Sequence, residues 1–243
     1  MISAVAVVVP ARDEEDTIVH CARGLRRALE AVPATIRSAA CVVVDRSRDR
    51  TREVLQDEAP FVGQLVNTCE LPLGAVRDAG VLSALAQVNA PAARTWVLHT
   101  DADSIVPRDW ILTHLRYASM GAHAVGGLTE IENWSSHDER TRQRYDSMVN
   151  AQIHNGRHRH VYGANLGVRA DAYHHVGGFR PLDSGEDRDL WQRLQTADFR
   201  LVQPCESPVA TSARTVGRAE GGLADLLHQL GGGGTTPRPN QAA

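Results

Sequence analysis

Two aspartates separated by one small residue stand in the middle of the chain, within the segment W-V-L-H-T-D-A-D-S at residues 96–104. The apolar residues at its start predict the end of a buried strand, and Asp101 and Asp103 follow. Side chains two positions apart point the same way in extended backbone, so both carboxylates can face one point. Paired carboxylates at the carboxyl end of a strand suit a divalent cation that also holds phosphate oxygens.

An Asp-x-Asp triplet is a weak signal by itself. Roughly one is expected by chance in a chain of this size, and a second one, Asp187-Arg188-Asp189, is present. Glu186 and Asp187 form another acidic pair, and acids in the first turn of a helix also have a purely structural use, because they favour the helix dipole. The chemistry therefore depends on the elements that position these residues.

Composition restricts the class of protein. With 243 residues, 42% hydrophobic and 23% charged, the chain has the proportions of one globular domain, and its net charge of -3 gives no reason to expect nucleic acid as a partner. All 26 basic residues are arginines, so no lysine can bind phosphate or act as a base. The four cysteines lack metal or redox spacing, and no apolar run approaches the ~18 residues of a membrane span. We therefore expect a cytoplasmic protein without a transmembrane segment.

Strands and helices alternate in the first 120 residues. Apolar, β-branched runs predict strands at residues 2–9, 40–44, 65–66 and 96–100. Helical periodicity predicts helices ending near residues 31, 58 and 88, and one starting at Pro107. This order predicts an α/β fold with a parallel sheet covered by helices on both faces, and a nucleotide-binding half at residues 1–120.

The second half has a less regular pattern. It predicts a strand at 122–129, a helix at 136–154, an irregular glycine-rich segment at 163–167, helices at 169–175 and 186–197, and short strands at 199–202 and 209–211. Residues 231–243 are rich in glycine and proline, which predicts a flexible tail. We expect a single domain at 1–230, in which 121–230 form the second half.

Seven short segments together resemble the successive motifs of family-2 glycosyltransferases with the GT-A fold. They are V-V-V-P-A-R-D-E-E from Val7, D-R-S-R-D-R-T from Asp45, G-A-V-R-D-A-G from Gly74, D-A-D from Asp101, G-A-N-L-G-V-R from Gly163, V-G-G-F from Val176 and G-E-D-R-D-L from Gly185. The set has the order and spacing of the family and spans residues 5 to about 190. The resemblance implies the nucleotide-diphospho-sugar transferase fold, with a central, mostly parallel sheet.

The resemblance also implies how a donor is bound. Its base would lie against Pro10, Ala11 and Arg12, and Asp45 would accept a hydrogen bond from a uracil or guanine N–H. Glu14 and Asp101 would contact the ribose, while Asp103, with Asp101 beside it, would bind the Mn²⁺ or Mg²⁺ that bridges the two phosphates. Arg77 could make a bidentate phosphate contact. Arg214 and Arg218 are candidates for closing over the diphosphate.

On the acceptor side, the resemblance makes Asp187 the general base that takes a proton from the acceptor hydroxyl, with Glu186 as the next candidate. Inversion at the anomeric carbon would follow. The loop Gly163-Ala164-Asn165 would form the floor under the donor sugar and the acceptor. The expected partners are a UDP- or GDP-sugar and an unidentified hydroxyl acceptor, and residues 121–230 would be the acceptor-side half.

The chain departs from the family pattern at several positions. Arg46 follows Asp45 where many members have a second acid, and Asp13 and Asp78 stand where asparagine is usual. The Q-x-x-R-W signature of processive members is absent, which argues against a polysaccharide synthase. Two alternatives stay open: a non-catalytic domain that binds sugar nucleotides, and a sugar-1-phosphate nucleotidyltransferase, whose G-x-G-x-R loop and catalytic lysine are missing here.

Overall fold

The structure is a computed structural model that describes residues 1–214 and 222–232. Its strands are β1 Ala4–Ala11, β2 Arg37–Asp45, β3 Gly63–Asn67, β4 Thr95–His99, β5 Ser104–Ile105, β6 Ala124–Gly126, β7 Thr129–Ile131, β8 Leu166–Arg169, β9 Leu201–Val202 and β10 Val209–Thr211. Its helices are α1 Ile18–Glu30, α2 Thr51–Glu58, α3 Leu73–Val88, α4 Trp110–Ser119, α5 Glu139–Asn150, α6 Ala170–His175, α7 Glu186–Thr196 and α8 Leu223–Gly231, with 3₁₀ turns at Ala92–Arg94 and Gly163–Asn165.

A seven-stranded sheet in the order β3-β2-β1-β4-β8-β6-β9 forms the centre of the molecule. β1 is parallel to both β2 and β4, β2 is parallel to β3, and only β8 runs antiparallel to its two neighbours. Alternate residues of β1 point into two apolar clusters, one formed with α1 and α4 and the other with α3, α6 and α7. The predicted mostly parallel sheet with helices on both faces is confirmed.

Helix α3 lies unusually close to the sheet because it carries a glycine at the contact. A Cβ built on Gly80 would stand 2.5 Å from Val8 Cγ1 and 2.7 Å from Val43 Cγ2. Any larger residue would push the helix away from β1 and β2. Arg77 lies one turn earlier on the same helix, so this close approach also sets the depth at which its side chain enters the molecule.

The prediction of one strand at 122–129 is wrong in one respect, because this segment contributes to two strands that lie in different sheets. β6 belongs to the central sheet, whereas β7 belongs to a three-stranded sheet of order β5-β10-β7. The chain turns between them at Gly127 and Leu128, where the Asn165 amide donates to Leu128 O at 2.8 Å and Gly127 N–H donates to Asn165 O at 2.8 Å. A residue from a distant segment thus ends the strand, which no local pattern could indicate.

The prediction that 163–167 is irregular is also wrong in part. Leu166 starts β8, which pairs with β4 and β6 in the middle of the sheet. Gly167 has the character of a strand breaker, but a Cβ there would collide with His114 Nδ1 and stand 2.5 Å from Trp96 Nε1. The glycine therefore makes room for two large side chains without ending the strand.

The sequence patterns also missed β5 and α8. Helix α8 packs on α5 in a third apolar cluster that includes Leu227, Leu230, Tyr145 and Val149. Because Gly231 ends α8, the predicted tail starts inside a helix, and residues 233–243 of that tail lie outside the described residues. The division into two halves at residue 120 stays a prediction. Within the described residues, no helix is long and apolar enough to cross a membrane.

Candidate active site

Asp101 and Asp103 lie just beyond the carboxyl end of β4, which pairs with β1. Asp101 Oδ1 accepts a hydrogen bond from Arg77 Nη2 at 2.7 Å, and Asp103 Oδ2 lies 2.6 Å from Arg214 Nη2. Only 8% of the Asp103 side chain is exposed. Burial raises the pKa of Asp103 to about 6, and Asp101 and Glu14 add to the shift while Arg214 opposes it. The site is therefore crowded with negative charge.

Arg77 connects this aspartate pair to the second acidic pair. It is 2% exposed, and its Nε donates to Glu186 Oε1 at 2.9 Å while its Nη2 binds Asp101. Burial opposes its charge, but the two carboxylates outweigh burial and raise the pKa of Arg77. A Cβ on Gly163 would stand 2.6 Å from Arg77 Nη2, so the glycine is required for the guanidinium to lie where it does. The third nitrogen of the Arg77 guanidinium, Nη1, is buried and has no hydrogen-bond partner among the described residues.

Glu186 and Asp187 are the first two residues of α7, and the N-cap position is occupied by Gly185. Asp187 Oδ2 accepts from the Gly163 N–H at 2.8 Å, and its Oδ1 accepts from the Arg188 N–H at 2.7 Å. Burial raises the pKa of both acids, and Arg77 opposes the shift in both. Neither acid is the N-cap residue, although both lie in the first turn, where the helix dipole favours them.

The residues predicted to hold the nucleoside lie around the ends of β1 and β2. Pro10 and Ala11 pair with Val43 and Val44 as the last residues of β1, and Arg12 follows them. The buried Glu14 is held by its backbone N–H, which donates to Thr51 Oγ1 at 2.7 Å, and by Arg214 Nη1, which lies 2.8 Å from Glu14 Oε1.

Asp45 is buried at the end of β2, and Asn67 Nδ2 donates to its Oδ1 at 2.7 Å. Asn67 is a residue that the sequence did not single out. It lies directly beside Asp45 in the parallel pair of β2 and β3, and that pairing is the signal that could have found it.

The side chain of Asn165 anchors the loop Gly163–Asn165 to the rest of the protein. Its Oδ1 accepts from Trp110 Nε1 at 2.8 Å and lies 3.1 Å from His114 Nε2, while its Nδ2 donates to Leu128 O. An indole N–H can only donate, which orients the amide oxygen and makes His114 Nε2 a donor as well. The Asn165 side chain thus holds the loop in place, with Gly163 and Ala164 buried beside it.

His114 was also missed by the sequence patterns. Burial lowers the pKa of His114 to about 4, so it is neutral near pH 7.

Arg214 is brought into the site through β10, which pairs with β5 next to Asp103. Arg218, the other late arginine, lies outside the described residues.

A divalent cation fits these residues only with help from a ligand. Within residues 1–214 and 222–232, no group of three or more His, Cys, Asp or Glu side chains could hold a metal ion. Two carboxylates together with phosphate oxygens are, however, a common arrangement for Mg²⁺. Five carboxylates share two buried or half-buried guanidinium groups here, so acidic side chains outnumber their ion-pair partners. These residues are Glu14, Asp101, Asp103, Glu186 and Asp187, with Arg77 and Arg214.

The fold has relatives among solved structures. S. aureus TarS 1–349 superposes with a TM-score of 0.60 at 14% identity, covering 88% of this chain and 61% of that one. Mannosyltransferase PcManGT from Pyrobaculum calidifontis, in complex with GDP-Man and Mn²⁺, gives a TM-score of 0.63 at 16% identity, covering 94% of this chain and 69% of that one. TarS 1–349 in complex with UDP-GlcNAc gives 0.63 at 13% identity, covering 95% and 65%.

The TM-scores show a shared fold, and identities this low show nothing beyond the fold. The chain spans about three-fifths of the length of TarS 1–349. A comparison with curated proteins finds no significant match. The family model described as "Glycosyltransferase like family 2" matches residues 3–217, which is most of the chain. With this match and with the motifs lying together at the ends of β1, β2 and β4, the chain belongs to the family-2-like glycosyltransferases and has their GT-A fold.

Proposed function

We propose that this protein is a metal-dependent glycosyltransferase that moves a sugar from a UDP- or GDP-sugar to an acceptor hydroxyl, with inversion at the anomeric carbon. The observation that carries the proposal is the buried guanidinium of Arg77, which joins Asp101 of the donor motif to Glu186 beside the candidate base. The proposed donor and acceptor sites would thereby share one residue. Similar structures solved with GDP-Man and Mn²⁺ and with UDP-GlcNAc support the donor class.

The donor diphosphate needs a cation at this site. The excess of carboxylates over their arginine partners would repel a diphosphate, which carries further negative charge. Mn²⁺ or Mg²⁺ held by Asp101 and Asp103 would neutralise the diphosphate, both when it binds and when it leaves. The carboxylate oxygens are the ligand type that these hard cations prefer.

The nucleoside would lie across the ends of β1 and β2. Asp45, oriented by Asn67, accepts a hydrogen bond from a base N–H, and Glu14 accepts one from a ribose hydroxyl. Pro10, Ala11 and Arg12 line the base pocket at the end of β1. Uracil and guanine both offer a ring N–H, so these contacts suit either nucleotide.

Asp187 is the better of the two candidate bases. The Glu186 carboxylate is held in a direct ion pair with Arg77, whereas Asp187 accepts hydrogen bonds from the backbone N–H groups of Gly163 and Arg188. The Gly163 N–H orients Asp187 toward the loop that would carry the donor sugar. A base that takes the acceptor proton there lets the hydroxyl oxygen attack the anomeric carbon opposite the departing diphosphate, which inverts that carbon.

The structure supports a different role for Arg77 from the bidentate phosphate contact that the motif implies. Its Nε and Nη2 each donate to a carboxylate and its Nη1 is buried, so the protein's own acids engage much of the guanidinium. We assign it as a positioning residue that holds Asp101 and Glu186. The buried Nη1 has no hydrogen-bond partner among the described residues.

A thermal-shift screen tests the proposal. UDP- and GDP-sugars with Mn²⁺ or Mg²⁺ should raise the melting temperature, since a ligand at 100 times its Kd stabilises by about 2.7 kcal/mol. Neither should do so without metal, and the Asp103→Ala variant should not respond. If no nucleotide-sugar stabilises the protein under any of these conditions, the proposed donor class is wrong.

Product analysis separates the alternatives. Release of UDP or GDP together with transfer or hydrolysis of the sugar supports the transferase. Binding without any turnover, even with a broad panel of acceptors, would favour the non-catalytic binding domain. Formation of a nucleotide-sugar from a nucleoside triphosphate and a sugar 1-phosphate would favour the nucleotidyltransferase.

A further inference from the structure

Arg214 binds two carboxylates of the proposed donor site, those of Asp103 and Glu14. Its Nη2 is 2.6 Å from Asp103 Oδ2, and its Nη1 is 2.8 Å from Glu14 Oε1. Both carboxylate side chains are almost fully buried, with 8% and 6% exposed. The guanidinium therefore places a positive charge next to the carboxylate oxygen of the proposed metal ligand Asp103.

We propose that Arg214 occupies the cation position of this site when no donor is bound, so that a divalent cation enters Asp103 only together with a diphosphate. The inference rests on the proposed function, because it concerns the metal of that same site. It assigns Arg214 as the residue that makes metal binding depend on the donor.

Competition between the two cations is the physical reason. A metal ion on Asp103 and a guanidinium on the same carboxylate repel each other in a buried, weakly screened site. Moving Arg214 away from Asp103 would also break its ion pair with the buried Glu14, and without another anion nearby the guanidinium would gain no partner in exchange. A diphosphate changes this balance, because it offers the guanidinium a new anionic partner and at the same time supplies oxygen ligands to the metal.

Arg214 is also better placed to move than Arg77. The Arg77 side chain is 3% exposed and projects from α3, whereas the Arg214 side chain is 30% exposed and follows the three-residue strand β10. Two arginines with the same number of carboxylate partners thus have different freedom. Arg77 holds the site together, and Arg214 is exchangeable.

Binding linkage gives a direct test. If diphosphate raises the affinity for Mn²⁺ by some factor, Mn²⁺ raises the affinity for diphosphate by the same factor. Calorimetry would measure Mn²⁺ binding with and without inorganic pyrophosphate, which avoids any assumption about the base or sugar. For the wild-type protein we expect weak binding of Mn²⁺ alone and a coupling factor between about 5 and 150.

The Arg214→Gln variant should bind Mn²⁺ alone more tightly than the wild type. Its coupling factor should be smaller than that of the wild type but stay above one, because phosphate oxygens still bind the metal directly. A merely structural role would instead weaken Mn²⁺ binding or leave it unchanged. The matched control is Arg169→Gln, because Arg169 makes a two-nitrogen ion pair with Asp171 at similar exposure but outside the site. The control should have wild-type Mn²⁺ binding and coupling.

A second variant covers a failure of Arg214→Gln to fold. Arg214→Lys keeps the charge but lacks the fork that spans Asp103 and Glu14, so its affinity for Mn²⁺ alone should lie above that of the wild type. Wild-type-like or weaker binding of Mn²⁺ alone in the folded variants overturns the inference. That result leaves the proposed function untouched, because the nucleotide-sugar screen of the wild type tests it separately. Failure of the wild type to bind Mn²⁺ even with pyrophosphate, UDP and GDP overturns both the inference and the proposed metal dependence.

Discussion

Replacing Arg77 by methionine would test the central ion-pair arrangement without any substrate. The change keeps most of the apolar stem but leaves the buried Glu186 without its cation. At the 2.9 Å separation, the attraction between these groups is about 6 kcal/mol at an effective dielectric constant of about 20. Desolvation offsets part of this attraction, and removing one partner of a buried pair costs about 3–5 kcal/mol.

A loss of this size is a large part of the stability of an ordinary domain, about 5–15 kcal/mol. For a protein of this length it corresponds to a fall in melting temperature of about 6–20 °C. The Asp101 pair adds less, because that carboxylate is 35% exposed and is screened by solvent.

The loss should depend on pH with a defined sign. Burial raises the pKa of Glu186 in the folded protein, and Arg77 partly opposes that shift. A carboxyl with a raised folded pKa contributes its stability below its unfolded pKa and loses it as the pH rises through the folded pKa. Without Arg77 the folded pKa rises further, so the variant should be nearest to the wild type at pH 5 and furthest from it at pH 8.

Chemical denaturation at both pH values measures these differences. The control Arg169→Met breaks a more exposed ion pair and should cost only about 0–1 kcal/mol. Adding Glu186→Gln to Arg77→Met removes the unpaired charge and should restore about half of the lost stability. The reasoning is refuted if Arg77→Met costs no more than the control, or if its cost is the same at pH 5 and pH 8.

Four further predictions concern the site. Asp187→Asn should keep donor affinity but reduce transfer by about 10²–10⁴-fold, and near-normal turnover in an acceptor assay would move the base elsewhere. Asp45→Ala should weaken nucleotide binding by about 1–3 kcal/mol in calorimetry, and lost turnover at normal affinity would contradict its role. Asp103→Ala, or a chelator added to the wild type, should abolish nucleotide-sugar binding, and unchanged binding would exclude this metal site. His114, whose pKa falls from 6.5 to about 4, should make the protein about 3 kcal/mol less stable as the pH drops from about 6.5 to 4, and the His114→Gln variant should lack this part of the slope in pH-dependent unfolding.

Local patterns were sufficient for the nucleotide-side framework. The β-branched run at 4–9 buries both of its faces, and a strand with that composition has few alternatives to the middle of a sheet. Each polar motif then follows a strand, and the carboxyl ends of parallel strands meet at one edge. The amino-acid pattern alone therefore puts Asp45 and Asp101 at one edge of the sheet, and the strand order β2-β1-β4 in the structure brings both beside the end of β1.

Other elements could not be predicted from local patterns, because contacts with residues far away in the sequence decide their structure. Gly167 looks like a loop residue until Trp96 and His114 occupy the space beside it. The two-strand break at Gly127 is made by Asn165, and α8 has an apolar face whose partner is α5. In each case the deciding contact lies far away in the chain, so no window of sequence contains it.

By itself, the sequence determined which chemical groups are available: an Asp-x-Asp pair, a second acidic pair, and arginine as the only long basic side chain. The tertiary structure decided which guanidinium meets which carboxylate. Arg77 and Glu186 are 109 residues apart, and Arg214 and Glu14 are 200 apart. With 26 basic and 29 acidic residues, many pairings are chemically equivalent, and only the order of the strands and the burial they create select these.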